Sequence, residues 1–336
     1  MDTPPVDIVM PYRDAADTLS ACLDSIAGQT HGNWRLLAVD DGSRDGSREA
    51  VRVFAARHGR TLLLDSGGAG LVAALNRGLA HAEAPLIARM DADDVMHPER
   101  LARQMAHLAA DPACGVVGCQ VATEELTGGL RRYVAWSNTL IDHDAMFRAR
   151  FIEAPLVHPT ACFRRELVER HGGYRDGDFP EDYELWLRWM DAGVRFAKVP
   201  APLLAWRDRP ERLTRTDPRY AIERFFAVKA GALVRWLDRE SPFGRTVWVW
   251  GAGYATRRRV RELVRAGLSI ASFIDIDPRK IGSRNQDGPV VGPDALPGPE
   301  ACLVIAAVGS LGAREQIAAE LRCRGFVEGR TFLCIA

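Results

Sequence analysis

Asp91-Ala92-Asp93 is the triplet in this chain whose residue types and spacing most directly suggest chemistry. In an extended segment residues i and i+2 project to the same side, so two carboxylates converge. Hard oxygen donors placed this way hold Mg²⁺ or Mn²⁺ and leave positions open for diphosphate oxygens, so the ion can stabilise a departing nucleoside diphosphate. The same triplet also suits an acidic turn capping the helix that begins near Pro98. Asp40-Asp41-Gly42-Ser43 has two uses as well. An ionised Asp accepts from a nucleobase N–H or a ribose hydroxyl, and Tyr12 upstream offers a face to the base. Alternatively the segment is an Asx-type turn ahead of the next helix.

Such groups need strand ends to carry them. Val6–Pro11, Leu36–Val39, Thr61–Leu64 and Leu86–Met90 read as four short strands, the second of them buried. Between them Leu19, Leu23 and Ile26, then Val51, Phe54 and Ala55, then Leu71, Leu75 and Leu79 repeat at helical spacing. Repeated β-then-α order implies a mostly parallel sheet with helices on its faces, and such α/β sheets bind ligands beyond the carboxyl ends of their strands. Pro98 is placed in the first turn of a further helix whose packing face is Leu101, Met105 and Leu108. After a polar stretch from Arg207 the strand pattern restarts at Thr246–Trp250. The expected division is a first domain over 1–215, a connecting helix over 216–242 and a smaller α/β domain over 243–336.

A chain of 336 residues suits two domains. Its 44 basic and 44 acidic residues leave no net field to attract nucleic acid. Three of the basic residues are lysines, so arginines are abundant everywhere and a cluster of them says little. The start of the chain has no basic region followed by an apolar one, and no apolar run approaches the ~20 residues of a membrane span. A soluble cytoplasmic protein is expected, with peripheral attachment at the inner membrane face as the alternative. The seven cysteines are odd in number and show no C-x-x-C spacing, so they read as small core residues rather than disulfides or a zinc site.

Val9-Met10-Pro11-Tyr12-Arg13, Val39-Asp40-Asp41-Gly42-Ser43, Gly70 to Asn76-Arg77-Gly78, Ala88-Arg89-Met90-Asp91-Ala92-Asp93-Asp94 and Pro98-Glu99-Arg100-Leu101 resemble, in this order, the blocks of family 2 glycosyltransferases of the GT-A fold. The resemblance runs from Val6 to about Trp206. It implies inverting transfer of a sugar from a nucleoside-diphosphate sugar. Pro11, Tyr12, Asp40 and Asp41 would hold the nucleobase and ribose, Asp91 would face the ribose and diphosphate, and Asp93 would ligate a divalent cation, Mn²⁺ or Mg²⁺, alongside Asp91. Ala74-Leu75 stands where many relatives carry an Arg before the Asn, so Arg77 or Arg89 would supply that diphosphate charge.

An acceptor hydroxyl is a poor nucleophile until its proton is being removed. Phe179-Pro180-Glu181-Asp182-Tyr183-Glu184-Leu185-Trp186 resembles the family's Glu-Asp block, which makes Asp182 the expected base and Glu181 an acceptor-orienting carboxylate. The reverse assignment stays open, and helix capping is the plainer role for either residue. His158-Pro159-Thr160 either lines the acceptor side, completes the metal shell or forms a turn before the next strand. Gly172-Gly173-Tyr174 looks like a mobile loop that closes on the donor. The acceptor would be a saccharide or a lipid-linked sugar in surface polysaccharide or glycolipid assembly.

Val247–Gly253 reads as a strand running into a G-x-G turn, and Asp275 lies 22 residues past Gly253, near the spacing of a ribose-binding acid. Thr256 holds the third glycine position, which compromises close helix packing and pyrophosphate approach. The segment is similar to Rossmann-like modules found beside sugar-modifying enzymes, and serves either nucleotide binding or docking. Two other readings stand beside a transferase. A sugar-nucleotide pyrophosphorylase needs a glycine-rich basic loop that Met10-Pro11-Tyr12-Arg13-Asp14 does not supply; a nucleotide-binding scaffold would work through the C-terminal domain.

Overall fold

The computed structural model describes residues 4–209, 212–285 and 287–336. The chain forms two compact units. The first comprises residues up to Met146, Pro155–Gly177 and Arg188–Thr216, and the second Phe147–Ala154, Asp178–Leu187 and Asp217–Ala336.

In the first unit the strands are β1 (Val6–Tyr12), β2 (Trp34–Asp40), β3 (Thr61–Asp65), β4 (Leu86–Arg89), β5 (Val95–Met96), β6 (Cys114–Ala122), β7 (Cys162–Arg164) and β8 (Arg195–Ala205). They form one sheet in the order β3-β2-β1-β4-β7-β6-β8-β5. β3, β2, β1 and β4 are mutually parallel, β7 runs antiparallel to β4 and β6, and β8 is parallel to β6. Every residue of β1 and β4 is buried, as expected of strands covered on both faces.

Apolar spacing decides which helix faces turn inward. Leu19, Leu23 and Ile26 of the helix Ala16–Ala27 are buried, each contributing roughly 1.5–3 kcal/mol relative to exposure. The helix Leu71–His81 lies close against the sheet at Gly78, where a Cβ would lie 2.5 Å from Val9 Cγ1. Pro98 falls outside the helix in which it was expected. That helix spans Arg100–Ala110, and the Pro98 carbonyl is turned aside to accept from Thr30 N at 2.9 Å. Leu101, Met105 and Leu108 do form its buried face.

The second unit carries β9 (Thr246–Trp250), β10 (Ser269–Ile274), β11 (Arg284–Asn285), β12 (Gly288–Val291), β13 (Leu303–Ala306) and β14 (Phe332–Cys334). Their order is β11-β12-β10-β9-β13-β14, parallel except for β11. Trp250, Ile274, Val304, Leu321 and Phe332 are central to its core. The helix Ile222–Glu240 belongs to this unit; its Lys229 is buried and donates to Ile152 O at 2.8 Å and Ile335 O at 3.1 Å.

Thr256 corrects an expectation. It does not hold its helix away from the sheet, because Gly251, at φ +111°, has no side chain to oppose it; a Cβ there would lie 3.0 Å from Thr256 Oγ1. The hydroxyl instead donates to Ala307 O at 3.3 Å. All seven cysteines are free thiols and six are buried. No helix among the described residues is long and apolar enough to cross a membrane.

Candidate active site

In the first unit, the strand order reverses between β1 and β4. Parallel sheets leave a crevice at such a point, beyond the carboxyl ends of the strands. Register brings the expected residues to that edge: Pro11 pairs with Val39 and Tyr12 with Asp40 across β1 and β2, and Val9 with Arg89 across β1 and β4. Pro11 and Tyr12 are buried. Burial, and then the Asp40 charge, push the Tyr12 phenol well above its ordinary value, so it stays neutral.

Asp40 and Asp41 share a strand end and do different work. Asp40 Oδ1 accepts from Ser43 N at 3.1 Å, the Asx-type turn, while Oδ2 takes Arg48 Nε at 2.8 Å. Burial would raise this carboxyl, but hydrogen bonds from Ser43 and Arg48 outweigh it and hold the group ionised, below its usual range. Asp41 Oδ1 accepts from Ser66 Oγ at 2.7 Å and Gly70 N at 2.9 Å, so it ties the segment after β3 to the end of β2. Gly42, at φ +77°, permits that contact, since a Cβ there would lie 3.1 Å from Gly68 Cα.

The segment after β4 gathers negative charge. Arg89, 2 % exposed, donates through Nη2 to Asp91 Oδ1 at 2.7 Å. Oxygens of Asp91, Asp93 and Asp94 lie within 4.8 Å of one another. Asp94 is fully buried; its Oδ1 accepts from Arg207 N at 3.1 Å and its Oδ2 is buried with no hydrogen-bond partner. Burial first and neighbouring aspartates second push Asp93 and Asp94 above the usual carboxylate range. A buried orphan oxygen and three crowded carboxylates are costly alone and fit a hard divalent cation, whose charge would offset both. Alternation at i and i+2 points to Asp91 and Asp93 alone; the turn brings the third carboxylate, that of Asp94, round to them.

His158 is buried and its Nε2 sits 2.7 Å from the Tyr174 hydroxyl. Burial, and then the Arg89 charge, push the imidazole well below its ordinary value, so it is neutral at pH 7. The aspartate cluster able to hold a cation does not include His158. The Gly172–Tyr174 segment is not a loose loop. Asn76 Nδ2 donates to Tyr174 O at 2.8 Å, Tyr174 N donates to Asn76 Oδ1 at 3.0 Å, Arg188 Nη2 donates to Gly173 O at 2.7 Å and Trp189 Nε1 to Gly172 O at 3.2 Å. Asn76 and Tyr174 are 98 positions apart, which hides this clasp from a reading of local pattern.

In the second unit, Glu181 and Asp182 open the helix Glu181–Asp191. Glu181 is 2 % exposed and accepts from the Tyr220 hydroxyl at 2.7 Å. Asp182 is half-buried, and its Oδ1 accepts from Tyr183 N at 2.7 Å at the start of the helix. Burial, then the charges of Glu181 and Asp182, push the Tyr220 phenol up, so it remains a donor.

Solved structures share this fold. The mannosyltransferase PcManGT from Pyrobaculum calidifontis, in complex with GDP-Man and Mn²⁺, superposes with a TM-score of 0.52 at 22 % identity, over 79 % of this chain and 69 % of its own. S. aureus TarS in complex with UDP-GlcNAc gives 0.57 at 15 % identity, over 78 % of this chain and 79 % of its own. The fold is of the GT-A glycosyltransferase type. Residues 7–172 match the family described as glycosyl transferase family 2. The amylovoran biosynthesis glycosyltransferase AmsE of Erwinia amylovora is 31 % identical over 194 residues, 57 % of this chain and 71 % of its own length. The chain belongs to glycosyl transferase family 2. Pro11, Tyr12, Asp40, Asp41, Arg89, Asp91, Asp93 and His158 fall inside the matched segment; Glu181 and Asp182 fall beyond it.

Proposed function

We propose that this glycosyltransferase moves a sugar, with inversion, from a nucleoside-diphosphate sugar to an acceptor hydroxyl during surface polysaccharide or glycolipid assembly, in the cytoplasm or at the inner membrane face. The observation that carries the reading is the crowded triad of Asp91, Asp93 and Asp94 beside Arg89, with a buried oxygen of Asp94 left unpaired. AmsE, named for polysaccharide synthesis, supports the pathway, and the GDP-Man and Mn²⁺ of PcManGT support the donor class and the ion.

The residues then take these roles. Tyr12 and Pro11 form the wall against which the nucleobase lies, and Asp40, ionised at neutral pH, accepts from the base or ribose. Asp41 keeps the neighbouring loop in place. Asp91 and Asp93, with Asp94 behind them, hold a divalent cation, Mn²⁺ or Mg²⁺, which when bound neutralises the diphosphate of donor and leaving group. Arg89 fixes the Asp91 carboxylate and adds positive charge. His158, neutral, positions Tyr174 or contacts the acceptor. Asp182 takes the acceptor proton as attack on the anomeric carbon proceeds, and Glu181, held by Tyr220, orients the acceptor. A single base with no enzyme nucleophile inverts the anomeric centre, as in single-displacement glycosidases.

The test is a thermal-stability panel of nucleotide sugars with Mn²⁺. A ligand at a hundredfold its dissociation constant stabilises the native chain by about 2.7 kcal/mol. One or a few donors are expected to raise the melting temperature only with the cation present. A panel in which no nucleotide sugar does so removes the proposal.

A further inference from the structure

A separate cleft of about 850 Å³ opens within the second unit, at the carboxyl edge of its own sheet. It lies where that sheet's order reverses: β9, β10 and β12 run out to one side, and β13 and β14 follow on the other flank of β9. Its floor includes Trp250, Val308 and Ile317. Its rim includes Tyr254 and Ile276, which are 74 % and 75 % exposed. Two large apolar side chains left in water beside an open cleft form a surface suited to a flat ring.

Charge around the cleft is uneven in one place. Lys280 pairs with Asp275 at 3.0 Å and Arg324 with Glu320 at 2.7 Å. Arg259, half-buried in the lining, has no carboxylate partner among the described residues and reaches Ala307 O only at 3.5 Å. Gly309 leaves the space its guanidinium occupies; a Cβ there would collide with it. The helix Tyr254–Arg265 begins at the same cleft, and Gly253 at its start supplies no side-chain cap to the first-turn N–H groups. An unpaired guanidinium and open backbone donors together favour a phosphate.

Asp275 narrows the ligand further. Its carboxylate accepts from Ala252 N at 2.9 Å, Asp277 N at 2.9 Å and Lys280 Nζ at 3.0 Å. With about four acceptor positions in all, it is largely spent on pinning the glycine turn and is not the ribose-binding acid its spacing suggested. Recognition is left to the phosphate end and the apolar rim.

The geometry points to a second ligand site in this chain: the cleft bounded by Tyr254, Arg259, Ile276 and Gly309 binds a nucleoside diphosphate, its phosphates on Arg259 and the helix start and its base against Tyr254 and Ile276. The site is independent of the donor reading above and needs no cation, since its lining acids Asp275, Asp294 and Glu320 each lie within ion-pair distance of Lys280 or Arg324.

Hydrogen exchange on the full chain in EDTA tests it, with ADP, UDP, adenosine and pyrophosphate as probes. Peptides covering 251–259 and 307–313 report this cleft, and peptides covering 88–94 report the donor site separately. ADP or UDP is expected to protect the first pair at millimolar concentration, more strongly than pyrophosphate or adenosine alone. Arg259→Gln should weaken that protection about tenfold, as loss of a charge-assisted contact does. Tyr254→Ala, at an exposed position, should weaken nucleotide but not pyrophosphate. No protection by either nucleotide, equal protection by pyrophosphate, or an unchanged Arg259→Gln would each overturn the proposal.

Discussion

Asn76 grips Tyr174 by both of its main-chain polar groups, donating to the carbonyl at 2.8 Å and accepting from the N–H at 3.0 Å. Tyr174 in turn meets His158 Nε2 at 2.7 Å, so a helix residue sets the position of a histidine 82 residues later in the chain. Asn76→Ala removes both of these partly buried hydrogen bonds. A loss of about 1–3 kcal/mol is expected in urea unfolding. An unchanged midpoint would mean the clasp is not formed.

Asp94→Asn separates two effects of charge. Without metal, burial and then Asp91 and Asp93 raise the Asp94 pKa well above 3.8. The folded chain then keeps a proton that the unfolded chain releases, so stability falls as pH climbs from 3.8 through the folded value. In EDTA near neutral pH the Asn variant should therefore melt higher than the natural chain. With Mn²⁺ the order should reverse, because the variant holds the ion less well. Equal stabilisation of both proteins by Mn²⁺ would remove Asp94 from the cation site.

Lys198 gives a pH signature of the opposite sign. Its ammonium is buried against Ser137 Oγ at 3.0 Å and Pro155 O at 3.3 Å, and burial pushes its pKa from 10.5 to about 7. Below pH 7 both folded and unfolded chains carry the proton. Between about 7 and 10.5 only the unfolded chain does, so this group's contribution to stability rises with pH. Lys198→Met should abolish that rise when unfolding is compared at roughly pH 6 and pH 9. Parallel pH profiles for the two proteins would contradict it.

Gly78→Ala sets helix propensity against packing. Alanine is favoured in a helix by about 1 kcal/mol. Its methyl would sit 2.5 Å from Val9 Cγ1 in a fully buried strand, and overpacking of that kind costs about 1–3 kcal/mol. Net destabilisation is expected in thermal melts, and a more stable variant would show that the helix can back away from the sheet.

Much of the site was readable because strand ends announce themselves locally. Short apolar runs ending in Asp40-Asp41 and Asp91-Ala92-Asp93 gave both the sheet edge and its charge, and β1, β2 and β4 lie where those runs predicted. What stayed hidden depends on distance along the chain. Arg48 on Asp40, Tyr220 on Glu181 and Asn76 on Tyr174 are partners made by the fold, not by neighbouring sequence. Thr256 misled for a different reason: its fit depends on the missing side chain of Gly251, a volume that a residue pattern does not state.

The most direct test of metal-dependent transfer is turnover of the matched nucleotide sugar by the natural chain and by Asp93→Ala across a Mn²⁺ titration. The natural chain should be silent in EDTA and rise with the cation, while the variant, having lost a ligand that offsets charge on the leaving diphosphate, should fall by at least about a hundredfold at every concentration. Turnover by Asp93→Ala at the natural rate, or full activity of the natural chain in EDTA, would contradict the account.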